Sequence, residues 1–468
     1  MWIRPVYHTQ VFLFCKEEAM RSEIPKKFCK YAIPQMLGLL FNSVYFIVDG
    51  MFIGNRLGRD AMAAAGVAVP MLELMIALSM AITAGSGVLV SVALSQKRPA
   101  EANSGMMHAL LTAGTLGVLL AVLGNLLIDP LANALGSTEG IHGEVCAYLS
   151  IILALSPFML FSFLLGGLVR NDGHPLHAMI ALTVGSLSNI LLDWVFMYPL
   201  NMGISGAALA TALGPILSDL ILLPHFLLKR GSLRLSRFHF KPRLLVKMLA
   251  LGLPSFVMEF TIGMITFITN LSIQNLRLGE MGLAAYLLIG YLMLIILTLF
   301  LGMAEGLQPV FSQMRGRGDR TGCRGMRRFS LAVFACAGLI CYGFVYFFPD
   351  RFYALFTAED QALLAFTSGH SRAYFCGFVF AGINILLISY WQAIAQTGKA
   401  MVTALLRSVL LPPVFILLLP ALLGEDWFWF GHSIAEMITA AAACFLLHRS
   451  QDTGDGNGAS LKREQSCS

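Results

Sequence analysis

Apolar residues run through this chain in stretches of about 20, the length that carries a helix across a bilayer, with short polar breaks between them. Twelve such stretches can be drawn, approximately over residues 31–54, 67–94, 104–128, 146–169, 176–198, 203–228, 244–270, 283–312, 329–348, 371–395, 400–423 and 427–447. Only 12% of the 468 residues are charged and 57% are hydrophobic, whereas soluble domains carry roughly 25% charged residues. That balance excludes an ordinary soluble enzyme, a disordered chain and a collagen-like one. The chain is predicted to be an all-α polytopic membrane protein with twelve transmembrane helices and no large soluble domain.

Charge sets the orientation. Of the 32 Lys and Arg residues, only Arg56, Arg59, Arg277, Arg351 and Arg372 fall in breaks on one side, and Arg407 falls within a span. All others lie in breaks on the opposite side, which the positive-inside rule makes cytoplasmic. Both termini are then cytoplasmic. The net charge of +6 reflects topology and anionic-lipid contact rather than a nucleic-acid partner. Nine cysteines are scattered, mostly through apolar runs, without a CxxC pair. They indicate neither a disulfide framework nor a zinc site, and read as small apolar packing residues. The first 14 residues are too short and too mixed for a secretory signal.

The second half repeats the first at an offset of about 220 residues. Tyr31, Ala32, Ile33 and Pro34 match Leu251, Gly252, Leu253 and Pro254, and Arg56-Leu57-Gly58 matches Arg277-Leu278-Gly279. Ser95-Gln96 matches Ser312-Gln313, and Gly173 matches Gly398. Six spans per half is an even number, so the repeats are parallel, related by an axis along the membrane normal, a plan in which substrate binds between the halves. The expected organisation is a cytoplasmic N-terminal segment (1–30), an N-lobe (31–228), a basic cytoplasmic linker (229–243), a C-lobe (244–447) and a disordered cytoplasmic tail (448–468).

A carboxylate at the bilayer centre costs on the order of 3 kcal/mol on insertion scales and so needs a reason. Asp49 lies late in the first span, one turn after Tyr45, so phenol and carboxylate share a helix face. Asn189 and Asp193 in the fifth span have the same spacing, and the sixth span opens with small residues leading to Thr211. Two carboxylates, an amide, a phenol and a hydroxyl can form one pocket that holds a shared proton or offers a small cation hard oxygen ligands. The alternative is that both aspartates sit near helix ends and reach to water.

Glu259, five residues after Pro254, is the strongest second-half candidate; Glu73, Asp219, Glu305, Arg407 and Glu436 can line a cavity or pair structurally. His225 and His432 read as satisfied interfacial histidines, and Trp427 and Trp429 as an aromatic belt. Pro34 removes a helix hydrogen bond and bends the first span, either as a static kink or as a point of motion. No HExxH, Walker A, GxSxG or CxxC motif is present. No enzymatic activity and no cofactor are expected, and uphill transport would draw on an ion gradient.

From about Lys26 to Arg449 the sequence resembles the bacterial branch of the multidrug and toxic compound extrusion (MATE) transporters. The resemblance is carried by Ala32-Ile33-Pro34, by Tyr45 to Gly50, and by the turn from Val169 to Pro175. It extends through Asn189 to Asp193 and Met202 to Thr211, and in the second half through Gln308-Pro309 and Trp391 to Ala393. It implies two six-helix lobes around a central cavity, in the plasma membrane, and cation-coupled antiport in which H⁺ or Na⁺ enters as an amphipathic, cationic drug leaves. The family's coupling network implies roles for Asp49, Tyr45, Asn189, Asp193 and Thr211, with Asp49, Asn189, Asp193 and Thr211 as metal ligands if the ion is Na⁺, and a bending helix at Pro34. The chain departs from the family pattern where Trp194, rather than proline, follows Asp193, an indole expected to alter the cavity's width. Glu259 follows its proline too closely to match the family's C-lobe glutamate. The segment before Arg21 has no counterpart, so that Met20 is an alternative start. A functional monomer is expected. The alternative reading is a flippase for lipid-linked oligosaccharides, which should line its cavity with several cationic residues to hold a pyrophosphate; Arg407 alone stands out as intramembrane.

Overall fold

The computed structural model describes the backbone from Arg4 to Asp452, except Arg277, Ala358 and Glu359, and most side chains from Glu23 onward. The expected disorder of the tail beyond Asp452 and the alternative start at Met20 lie outside the described residues and side chains. In the first half, α1 (Arg4–Leu57), α2 (Arg59–Ser95), α3 (Pro99–Leu126) and the short α4 (Ile128–Ala134) are followed by α5 (His142–Ala154), α6 (Ser156–Asn171), α7 (Pro175–Met197) and α8 (Ile204–Leu227). The second half has α9 (Pro242–Asn275), α10 (Gly279–Gly316), α11 (Arg320–Phe347), the short α12 (Pro349–Thr357), α13 (Gln361–Phe375) and α14 (Phe378–Ala393). It ends with α15 (Thr397–Ala404), a π-helical turn (Leu405–Leu410), α16 (Leu411–Leu423), a 3₁₀ turn (Glu425–Phe430) and α17 (Gly431–Asp452). Among the described residues there is no strand.

Among the described residues ten helices are long and apolar enough to cross a membrane, and two bent pairs, each taken as one span, bring the number up to twelve. The bent pairs correct the expectation of continuous helices over 146–169 and 371–395. Between α5 and α6 the chain turns by 48°, and between α13 and α14 by 46°. The fourth span of each half is therefore the broken one. Pro157 lacks an N–H and cannot continue the ladder, and backbone freed inside a bilayer must find a partner within the protein. At the first break Ser156 Oγ donates to Gly117 O at 3.0 Å. At the second, Gly377 N donates to Ser433 Oγ at 2.8 Å, and that hydroxyl donates to Tyr374 O at 2.5 Å.

The two halves meet through a reciprocal pair of crossings. Helix α1 lies on α10, and α9 lies on α2. A Cβ on Gly306 would strike Tyr31 O and Ala32 Cα, and one on Gly252 would strike Ala81 O. On Gly85 it would strike Met248 O. Gly85 and Gly306, like Ala32 and Gly252, are related by the same offset of about 220 residues, so each contact is the repeat of the other. Small residues let these backbones approach closely where lipid offers no hydrophobic drive for association.

The basic segments gather at one end of the bundle. Asp172 accepts from Ser232 N at 2.8 Å and faces His225 Nε2 at 2.9 Å. Asn103 Oδ1 accepts from Arg234 N at 2.8 Å, and His108 Nε2 accepts from Lys241 N at 2.9 Å. These bonds strap the non-helical linker to the first half, and His225 is buried with Nε2 on Asp172 but Nδ1 without a partner, so it is only half satisfied. Arg56, bonded to Asn201 Oδ1 at 3.1 Å, marks the opposite end.

Candidate functional site

Helices α1, α7, α8 and α5 bring the polar residues of the first half together. Close contact between α7 and α8 follows from glycines: a Cβ on Gly185 would meet Gly214 O at 2.8 Å, and one on Gly214 would meet Gly185 O at 2.9 Å and Asn189 Cβ at 3.5 Å. This sets Asn189 and Asp193 against the turn of α8 that carries Thr211. Asp49 approaches from α1, buried beside Asp193, close enough for one carboxyl to hydrogen-bond the other. Asp193 has no exposed surface and Asn189, Thr211 and Asp49 are all buried, so neither aspartate reaches water at a helix end. Tyr45 lies within electrostatic reach of both carboxyls and lines a hollow with Asn189 and Thr211.

The polar atoms here are conspicuously unpartnered. Asp49 Oδ1, both Asp193 oxygens, both Asn189 amide atoms and Thr211 Oγ1 are buried without a geometrically sound hydrogen bond. Buried polar groups are almost always satisfied, and exceptions point to an absent ion, proton or water. Two ionised carboxylates have no donor to give each other, whereas a single proton between them completes a bond. A small cation satisfies the same oxygen atoms. The donor set therefore fits either ion.

Sequence reasoning missed Tyr148 of α5, whose buried phenol sits beside Thr211 and within reach of both aspartates. The predicted span 146–169 holds no carboxylate or amide to draw attention to it, so only the fold reveals it. Trp194, 49% exposed, stands outside the lining of the hollow that holds Tyr45, Asn189 and Thr211.

A second cavity lies between the halves, lined by Arg170, Glu259, Glu305, Gln308 and Gln392 among others. Gln35 Nε2 donates to Glu305 Oε2 at 2.9 Å, and Arg170 Nη1 lies 3.8 Å from the same oxygen. Nearby on the same interface, Ser43 Oγ and Thr298 Oγ1 are 2.7 Å apart. Helix α1 thus carries Asp49 in one pocket while Gln35 and Ser43 hold α10 of the other half. Pro34 lies inside α1 immediately before Gln35. Glu259 faces the central cavity, away from the Asp49–Asp193 pocket.

Arg407 is not the lone intramembrane guanidinium: Arg170 and Arg327 are also buried. Arg407 Nε lies 2.9 Å from Glu436 Oε1, and Asn384 Nδ2 donates to Glu436 Oε2 at 2.7 Å, so Glu436 is a structural pair inside the second half. Glu305 lines the cavity instead. Trp427 is 41% exposed, as a belt residue should be, but Trp429 is 1% exposed and packs on His370 and Phe366. The belt reading therefore fails for Trp429.

A bundle of twelve spans in two repeated halves, with a polar pocket in one and a charged cavity between them, defines a membrane transporter and not an enzyme. The family model MatE matches residues 34–195 and 254–418, and the chain belongs to that family. It is 23% identical over 434 residues to the multidrug export protein MepA of Staphylococcus saprophyticus, covering 92% of this chain and 95% of that protein. It superposes with a TM-score of 0.87 on an outward-facing multidrug resistance MATE family transporter of the MOP superfamily, at 23% identity, covering 93% and 97% of the two chains. A crystal structure of a MATE protein in complex with MaL6 gives 0.87 at 23% identity, covering 92% and 96%.

Proposed function

We propose that this chain exports amphipathic organic cations from a bacterial cytoplasm across the inner membrane, in exchange for H⁺ or Na⁺, as a monomer with both termini cytoplasmic. The observation that carries the reading is the unpartnered Asp49–Asp193 pair, set in one half of a two-lobed bundle. Family membership and the relative named for multidrug export support efflux. The central cavity supports the charge of the cargo, since the carboxyls of Glu259 and Glu305 line it with Arg170, and Glu73 lies within electrostatic reach of Glu259, as does Arg407. A pyrophosphate-bearing lipid would meet repulsion there, which weighs against the flippase reading.

The coupling step follows from geometry. An ion or proton entering the pocket takes up the free oxygens of Asp49, Asp193, Asn189 and Thr211, with Tyr45 and Tyr148 beside them. The pocket's charge falls, and α1 no longer needs its present position. Because Gln35 and Ser43 are on that helix, its movement about Pro34 strains the Gln35–Glu305 and Ser43–Thr298 bonds, and the cavity opens or releases its cargo.

The test is efflux of ethidium from liposomes holding the purified protein, under an imposed pH gradient and then a sodium gradient. Efflux should follow one gradient, naming the ion, and should vanish in both Asp49→Asn and Asp193→Asn while membrane insertion is unchanged. Full efflux by both variants would overturn the mechanism.

A further inference from the structure

At the end of the first half opposite the linker, three side chains of different chemistry converge. His142 Nε2 lies 3.2 Å from Asp129 Oδ1, Cys146 Sγ lies 3.5 Å from His142 Nε2, and Sγ lies 3.7 Å from the same Asp129 oxygen. His142 and Cys146 are one turn apart at the head of α5, and Asp129 is supplied by α4 across a loop. We propose that Asp129, His142 and Cys146 form a three-ligand site for a divalent d-block cation, with zinc the best fit. The proposal departs from the expectation that the cysteines only pack.

The distances argue for a metal. Around tetrahedral zinc, with bonds of about 2.0–2.1 Å to nitrogen and oxygen and about 2.3 Å to sulfur, neighbouring ligand atoms sit about 3.4 Å apart for N···O and about 3.6 Å when one is sulfur. The observed triangle has those edges. A plain ion pair explains the spacing less well: a charge-assisted N–H···O bond is about 2.7–2.9 Å long, shorter than the 3.2 Å seen, and the Cys146 thiol donating to the same Asp129 oxygen at 3.7 Å is a weak bond. One cation satisfies all three atoms.

The other ring nitrogen is set for the same role. Ser137 Oγ is 2.8 Å from His142 Nδ1 and turns toward Asn133 Oδ1 at 3.5 Å. With its proton directed to Asn133, the serine accepts from Nδ1–H, which leaves the Nε2 lone pair facing Asp129 and Cys146. Metal-binding histidines are held by such partners, and the mixed N, O, S donor set with a free fourth position suits zinc. The partial exposure of His142 and Cys146 gives the ion access. An occupied site would tie the 127–141 loop to α5, within a turn of Tyr148.

The experiment is titration of the full-length, untagged protein in detergent with Co²⁺, read by absorption, followed by competition with Zn²⁺. One ion per chain should bind with a thiolate-to-cobalt charge-transfer band that is lost in Cys146→Ser and kept in Cys444→Ser. Ser137→Ala, which spares the three ligands, should weaken binding about ten- to hundredfold. Zn²⁺ should displace the cobalt and raise the melting temperature of the parent protein but not of Cys146→Ser. Binding no tighter than about millimolar, or a band indifferent to Cys146→Ser, would overturn the site and leave an ordinary His142–Asp129 ion pair. Neither outcome depends on what the protein exports.

Discussion

Asp49 and Asp193 carry buried oxygens without partners, and the buried phenol of Tyr148 lies within reach of both. Its hydrogen-bonding neighbour is Thr211, and a neutral hydrogen bond contributes about 0.5–1.5 kcal/mol. Tyr148→Phe should therefore weaken the apparent affinity for the coupling ion about two- to tenfold while leaving maximal efflux near the parent value, measured by varying the driving ion in liposomes. Unchanged ion dependence would remove Tyr148 from the network. Asp49, Tyr45, Asn189 and Asp193 were legible in the sequence because a buried carboxylate in lipid is expensive and a four-residue spacing puts its partner on the same face. Tyr148 carried no such signal. Arg170 was hidden too, since its place in a polar turn made it read as a loop residue although the fold buries it. Asp129, His142 and Cys146 were illegible for another reason, as a loop stands between Asp129 and the other two.

Helices show the repeat more sharply than residues do. The sequence offset aligned Pro34 with Pro254 and predicted two matching halves, but gave no sign that the fourth span of each would break. Pro157 explains one break, whereas the other falls at Cys376 and Gly377, where no proline stands and Ser433 of a distant helix supplies the missing bonds. Ser433→Ala leaves Gly377 N and Tyr374 O without their side-chain partner in a dry interior, and should destabilise by about 1–3 kcal/mol. The reciprocal crossings make a second prediction. Gly252→Leu drives a branched side chain into Ala81 of α2, and overpacking of this kind costs typically about 1–3 kcal/mol. Thermal unfolding of the purified protein should show both losses, with Gly263→Leu, where a Cβ meets nothing within 4 Å, as the silent control.

For the molecule as a whole, the central cavity presents the carboxyls of Glu259 and Glu305 between the halves. Removing one carboxylate alters the interaction with a monovalent cargo by about 1–2 kcal/mol at the effective dielectric of a wet site, a factor of about 5–30. Glu259→Gln should raise KM for a cationic dye by that factor and leave a neutral substrate of similar size nearly unaffected. Equal changes for both would assign Glu259 a structural role. The number of spans, the doubling and the cavity's place between halves were legible from hydropathy and offset. The cavity's charge was not, because it depends on which faces of α6, α9 and α10 turn inward.

The bond between Gln35 and Glu305 joins residues 270 positions apart. A ribosome adds about 5–20 residues per second, so about 14 to 54 s separates the synthesis of these two partners. During that interval α1 waits in the bilayer with a polar amide and a small-residue face that nothing yet covers. The waiting helix is the natural client for whatever accompanies nascent membrane proteins. A slowly translated second half would lengthen its exposure, and yield of the folded transporter should be set as much by the timing of α10 as by the stability of the finished bundle.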